Sequence, residues 1–202
     1  MENAPGRSDM IVFQLKATIL RLKRGYRNFS EPVYKWPQKH APRLENMLSE
    51  SVSLLWDNSA PHPEQILQAG KVQNLRVALR KIDGCHIPAN QTFSFWKQLG
   101  RPGGEKGYVV GRELRQGCII PTRAGGLCQL SNALYDAALK AKLEIVERHA
   151  HTQNIPGSLT EQGRDATVFW NYVDLRFKTD KDLYITATLT PDKLIVQLWQ
   201  VT

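Results

Sequence analysis

One cysteine and a pair of histidines carry the chemistry that this sequence offers. Cys128 lies in "RAGGLCQLSNALYDAAL", residues 123–139, directly after Gly125, Gly126 and one leucine. The glycines permit a tight turn and a close approach of backbone, and the spacing of Leu127, Leu130, Leu134 and Ala138 opens a helix there. Cys128 falls in its first turn, where unpaired N–H groups and the positive end of the dipole favour a thiolate. Ser131, Asn132 and Tyr135 follow on the same face, so the cysteine looks onto polar neighbours; a structural cysteine would more often sit on the apolar stripe.

The stretch "EIVERHAH" then alternates as a strand would, placing Glu147, His149 and His151 on one face with the two imidazoles about 6.5 Å apart at ~3.3 Å per residue. Asp165, in "GRDATV", and Asp174 are carboxylates able to orient an imidazole, although a solvated acid is the default for each. Two mechanisms use these parts. In one, the Cys128 thiolate attacks an acyl or amide carbonyl, His149 or His151 moves the proton, Asp165 orients the ring and helix-start N–H groups stabilise the oxyanion. In the other, Cys128, His149 and His151 bind zinc with one open position for water, assisted by Glu147 or Asp165. The spacing fits no established zinc signature, so the first is preferred and no cofactor is expected, zinc being the alternative. Cys85 and Cys118 read as core filling, and "TFSFW" as a buried strand.

The surrounding elements follow from periodicity. A basic amphipathic helix over residues 10–27 is expected to dock its apolar side on the protein's own core, with a membrane surface as the weaker expectation. Prolines break up residues 28–63, leaving room for one helix around Arg43–Leu55. A helix spans Pro63–Asp83 and stops at Gly84; strands are expected at Thr92–Trp96, Tyr108–Leu114 and Cys118–Ile120. The cysteine-bearing helix runs from Leu127 to Lys142, and a strand from Glu144 to His151. "VDLRFK", "LYITATLT" and "LIVQLW" then read as a three-stranded antiparallel meander. The fold class is α+β, a mostly antiparallel sheet packed by the central cysteine-bearing helix, with residues 1–62 as a basic helical arm and connector and residues 63–202 as the domain.

At 202 residues and 42% hydrophobic composition the chain can bury a sizeable core. Of its formal net charge of +8, the segment from Lys16 to Arg43 carries most, with eight Lys or Arg against one acid, Glu31. The charge belongs to the arm, and without a recognition motif it does not imply nucleic acid. No secretory signal or spanning segment is evident, and three cysteines without framework spacing fit a reducing compartment, so a cytoplasmic protein is expected, with peripheral contact at the inner membrane surface possible through residues 10–27.

Taken in order, "TFSFW", "GGLCQLSNALYDAAL", "LEIVERHAH", "GRDATV" and "VDLRF" resemble the VanW family over about Lys71–Thr202. Ala124 stands where relatives often carry a third glycine. The resemblance implies a bacterial protein linked to the cell envelope or glycopeptide resistance, with motif positions at Gly125, Gly126, Cys128, Gln129, Ser131, Glu147, Arg148, His149, His151 and Asp165. These include the residues that the spacing argument reached, and Cys128, His149, His151 and Asp165 are the expected catalytic set, acting on an amide or peptide-like substrate. Gly125, Gly126, Gln129, Ser131, Asn132, Glu147 and Arg148 are expected around the substrate. The order of cysteine, histidine and aspartate is also similar to transglutaminase-like and papain-like enzymes, an analogy of fold and order only. A non-catalytic accessory or binding module with a structural or zinc-binding Cys-His-His cluster is the alternative.

Overall fold

The computed structural model describes residues 7–31, 33–38, 44–115, 118–150 and 163–201. In chain order the elements are α1 (Arg7–Ser30), β1 (Asn46–Leu54), α2 (His62–Ile82), β2 (Cys85–Ile87), β3 (Thr92–Ser94), α3 (Phe95–Leu99), β4 (Val110–Arg115), β5 (Cys118–Arg123), α4 (Leu127–Lys140), β6 (Glu144–Glu147), β7 (Arg176–Lys178), β8 (Leu183–Leu189) and β9 (Lys193–Gln200). The fold is α+β, and the strand pairs among the described residues are antiparallel. A four-stranded sheet in the order β1-β9-β8-β2 is packed by α2 and α4, a three-stranded sheet has the order β3-β7-β6, and β4 and β5 form a hairpin against α2.

The main sheet follows the two-residue period. Ile185, Ala187, Val196 and Leu198 are buried, and register pairs Ile185 with Leu198 and Ala187 with Val196. On α4 the buried face is Leu127, Leu130, Ala133, Leu134, Ala137 and Ala138, where the alanines let the helix come close to the sheet.

That closeness explains why β1 replaces the helix expected around Arg43–Leu55. Its inward positions are Ser49 and Ser51, both buried, and Ser49 Oγ donates to the Ala137 carbonyl at 2.7 Å. Meanwhile Met47, Val52 and Leu54 are exposed and only Leu48 of the apolar residues of β1 packs against the core, so apolar spacing does not mark the buried face of this strand. The expected meander is also corrected. β8 and β9 form a hairpin, but β7 leaves them to pair with β3 and β6, and as a central strand it buries both faces: Leu175 and Phe177 on one, Asp174 and Arg176 on the other. The strand expected to run through Trp96 stops at Ser94, whose side chain accepts from Lys97 N and caps α3. β6 ends at Glu147, four residues short of the expected strand.

Where α2 crosses the β4–β5 hairpin, backbones touch. A Cβ on Gly70 would overlap the Val110 carbonyl oxygen, one on Gly111 or Gly125 would overlap the other's carbonyl oxygen, and one on Gly126 would enter the Lys71 side chain. Gly126 also has φ +98°, and Ala124 takes φ +61°, the left-handed conformation that a third glycine would adopt without strain. Fully buried Asn74 seals the crossing: its amide nitrogen donates to the carbonyls of Val109 and Gly125, and its oxygen accepts from Val109 N at 2.8 Å. Lys71 is buried alongside, with Nζ donating to the Leu55 carbonyl at 2.6 Å.

Two outcomes follow. Gly70→Ala should lower stability by about 1–3 kcal/mol through overpacking, despite the gain in helix propensity. Gly25→Ala, with nothing within 4 Å of the new methyl, should not; urea denaturation compares them. Burial, then the charge of Arg112, push the Lys71 ammonium down from 10.5 to about 8. The folded state therefore releases this proton before the unfolded chain does, and stability should rise with pH from about 8. Burial pushes the Cys85 thiol up from 9.0 to about 12, an opposing effect that begins near pH 9. The interval from pH 8 to 9 isolates Lys71, and Lys71→Met should flatten the stability–pH slope there.

Candidate functional site

Gly126, in its left-handed conformation, turns the chain into α4, and Cys128 enters in the first turn as expected. Cys128 is half-buried against the core, with Sγ 3.8 Å from Thr167 Oγ1 and 3.9 Å from the Val168 carbonyl oxygen. The polar face of α4 is bound to that same segment. Ser131 Oγ donates to the Ala166 carbonyl at 2.6 Å, and Asn132 Oδ1 accepts from Ala166 N at 2.8 Å. Gln129 instead ties α4 to β1, its amide donating to Ser53 Oγ and the Leu54 carbonyl.

The other expected residues have separate partners. Asp165 is buried and paired with Arg148 at 2.9 Å; the Arg148 guanidinium lies 5.2 Å from the centroid of the Tyr135 ring. The His149 carbonyl accepts from Thr167 N at 2.8 Å, beside the Cys128 neighbourhood. The His149 imidazole is half exposed, with Nε2 3.2 Å from Glu147 Oε1. The described residues thus bring Glu147 and His149 together, as alternation predicts. In the same residues Cys128 meets Thr167 and Val168, and Asp165 meets Arg148. His151 lies outside the described residues. Among the described residues no three His, Cys, Asp or Glu side chains are grouped to hold a metal ion. Gly125 and Gly126 are occupied in the crossing with α2.

The densest electrostatic centre is Glu147. Its carboxylate accepts from Arg24 through two N–H groups, one at 2.6 Å, from Arg27 Nη1 at 3.0 Å and from Asp174 N at 3.1 Å; Arg176 Nε lies 3.6 Å away. Asp174 accepts from Arg176 Nε at 3.0 Å, from Ser94 Oγ at 2.6 Å and from Trp96 N at 3.1 Å, thereby also capping α3. Asn28 accepts from Arg176 Nη2. Burial pushes the Glu147 carboxyl up, but the hydrogen bonds and charge of Arg24, the charge of Arg176 and the Asp174 N–H outweigh it and hold the group below the usual 4.5.

Sequence reasoning missed Arg24, Arg27 and Arg176. The first two were assigned to the solvent side of an amphipathic helix, whereas they dock and the apolar side faces out. Asp174, for which a solvated acid is the default expectation, is buried with Arg176; opposite charges two residues apart on a strand are the available signal of a self-neutralising buried pair.

Fold and site define an α+β domain built on antiparallel sheets, with a glycine-bounded helix entry and a buried carboxylate–guanidinium cluster. The profile of the family described as "VanW like protein" matches residues 70–199, and the chain belongs to the VanW family. It is 32% identical over 161 residues to the vancomycin B-type resistance protein VanW of Enterococcus faecalis, covering 77% of this chain and 58% of that one. It is 33% identical over 128 residues to the uncharacterized protein YoaR of Bacillus subtilis, covering 62% of this chain and 42% of that one. The chain thus spans about half the length of these curated relatives. No solved structure matches it.

Removing one partner of a buried charge cluster strands the others. Glu147→Gln should therefore cost about 3–5 kcal/mol and raise hydrogen exchange in α1 before the rest of the chain. Because the folded-state carboxyl titrates below 4.5, its contribution should be complete above that pH and be lost as pH falls through the lower folded value. Exchange of the α1 amides against pH checks the sign.

Proposed function

We propose that this chain is an accessory module of the bacterial envelope's response to glycopeptides, acting by binding a peptide-like component and not by bond chemistry. The observation carrying this reading is that Cys128, His149 and Asp165 are each engaged by a different partner: Thr167 and Val168, Glu147, and Arg148. Ser131 and Asn132 of α4 are spent in holding the 165–168 segment in place. The link to glycopeptides rests on the resistance protein VanW, which this chain resembles.

A cysteine-dependent hydrolase or acyl transferase is the second reading, favoured by the half-buried sulfur in the first turn of α4. Zinc held partly by Cys128 would be a third use of the same atom. Complementation separates them. In a glycopeptide-tolerant host lacking its own copy, Cys128→Ala should retain wild-type tolerance, and peptide-resolved alkylation of Cys128 should not respond to a chelator. Loss of tolerance in both Cys128→Ala and Cys128→Ser, with the protein still folded, would establish the nucleophile. Chelator-induced exposure of the thiol would establish the metal site.

A further inference from the structure

The docked face of α1 leaves a second face without a partner among the described residues. Leu15, Ile19, Leu22, Tyr26 and Phe29 recur at intervals of four, three, four and three residues, forming one apolar stripe along the helix. They are 59%, 63%, 70%, 75% and 86% exposed. Arg24, Arg27 and Asn28, which bind Glu147 and Arg176, lie on the opposite side of the same turns. A helix normally turns such a stripe inward; here buried charges fix the polar side to the domain and the stripe points away. Five large apolar side chains in one exposed row mark an interaction surface.

The charge pattern selects the occupant. Between Met10 and Ser30 the helix has five Lys or Arg and no acid. Glu147 takes up Arg24 and Arg27, while Arg21 and Lys23 remain exposed. A second copy of α1 packed along the stripe would bring these cations toward their equivalents, with Asp9 as the acid of the helix to answer them. An anionic lipid surface complements both features: apolar side chains enter the boundary of headgroups and acyl chains, aromatic Tyr26 and Phe29 sit at headgroup level, and the cations meet lipid charge. None of the described helices is long and apolar enough to cross a membrane, so the arrangement is one of lying on the surface.

We infer that α1 is an interfacial anchor for anionic bilayers, and that the Arg24/Arg27–Glu147 clasp couples the anchor rigidly to the domain. The inference is independent of whether the domain binds or catalyses.

Flotation of the full chain with vesicles tests it. The chain should rise with phosphatidylglycerol/phosphatidylcholine vesicles at low salt, rise far less with phosphatidylcholine alone, and be released from the anionic vesicles by high salt. Leu22→Asp, at an exposed position, should leave circular dichroism unchanged and reduce partitioning by about tenfold or more. Arg21→Gln and Lys23→Gln should each reduce binding to the anionic vesicles about fivefold and leave neutral vesicles unaffected. A wild-type chain that stays down with both vesicle types overturns the inference. So does a dimer by light scattering that Leu22→Asp converts to monomer, which would make a second copy the occupant.

Discussion

A single desolvated carboxylate decides how the N-terminal helix meets the domain. Glu147 closes β6 with its side chain only 4% exposed, and that burial is tolerable only because guanidinium and backbone N–H donors surround it. Arg24 comes from a helix more than a hundred residues earlier in the chain, and Arg176 comes from the neighbouring strand. A buried ion cluster of this kind contributes little net stability compared with apolar packing, yet it is strongly directional. Only one rotation of α1 presents Arg24, Arg27 and Asn28 together to Glu147 and Arg176. The cluster therefore sets orientation, and the outward apolar stripe is its consequence.

A second constraint operates at the other end of the site. The glycine-rich entry to α4 resembles a backbone cradle for a ligand, and in the folded chain it is filled by the protein itself. Gly70, Gly111, Gly125 and Gly126 bring α2 against the β4–β5 hairpin, and Asn74 satisfies the backbone groups that such contact would otherwise strand. The glycines are needed for close packing, and the left-handed turn at Ala124 and Gly126 aims α4 across the main sheet. The position of Cys128 at a helix start is thus a by-product of how two backbones are brought into contact.

The legible parts of this fold are those in which apolar spacing and burial agree. α2 and α4 fall within two residues of their expected bounds because their buried faces repeat at the helical period. The pairing of Glu147 with His149 follows from strand alternation. β1 was hidden because its core-facing residues are serines, chosen for their size beneath α4, and a pattern rule counts them as polar. β7 was misplaced because a central strand buried on both faces carries no informative alternation once Asp174 and Arg176 neutralise one another. The relation of Cys128 to His149 is not legible from periodicity in the same way. Sequence order placed the two elements side by side, but the face that His149 shares with Glu147 serves the α1 cluster, while the sulfur faces Thr167.

This division of faces bears on how an anchored domain could work. If the helix could leave the domain easily, its apolar stripe would be free to turn inward and the exposed arrangement would be a minor state. Leaving is costly, because withdrawal of Arg24 and Arg27 would abandon Glu147 to Arg176, the Asp174 N–H and a half-exposed histidine. Turning the helix over would set apolar side chains against the Glu147 carboxylate and Arg176, which the polar side of α1 now answers. The polar docking and the exposed stripe therefore stabilise each other as one arrangement. Any surface that takes the stripe takes the domain with it, holding β6 and the polar side of α4 in a defined orientation to that surface.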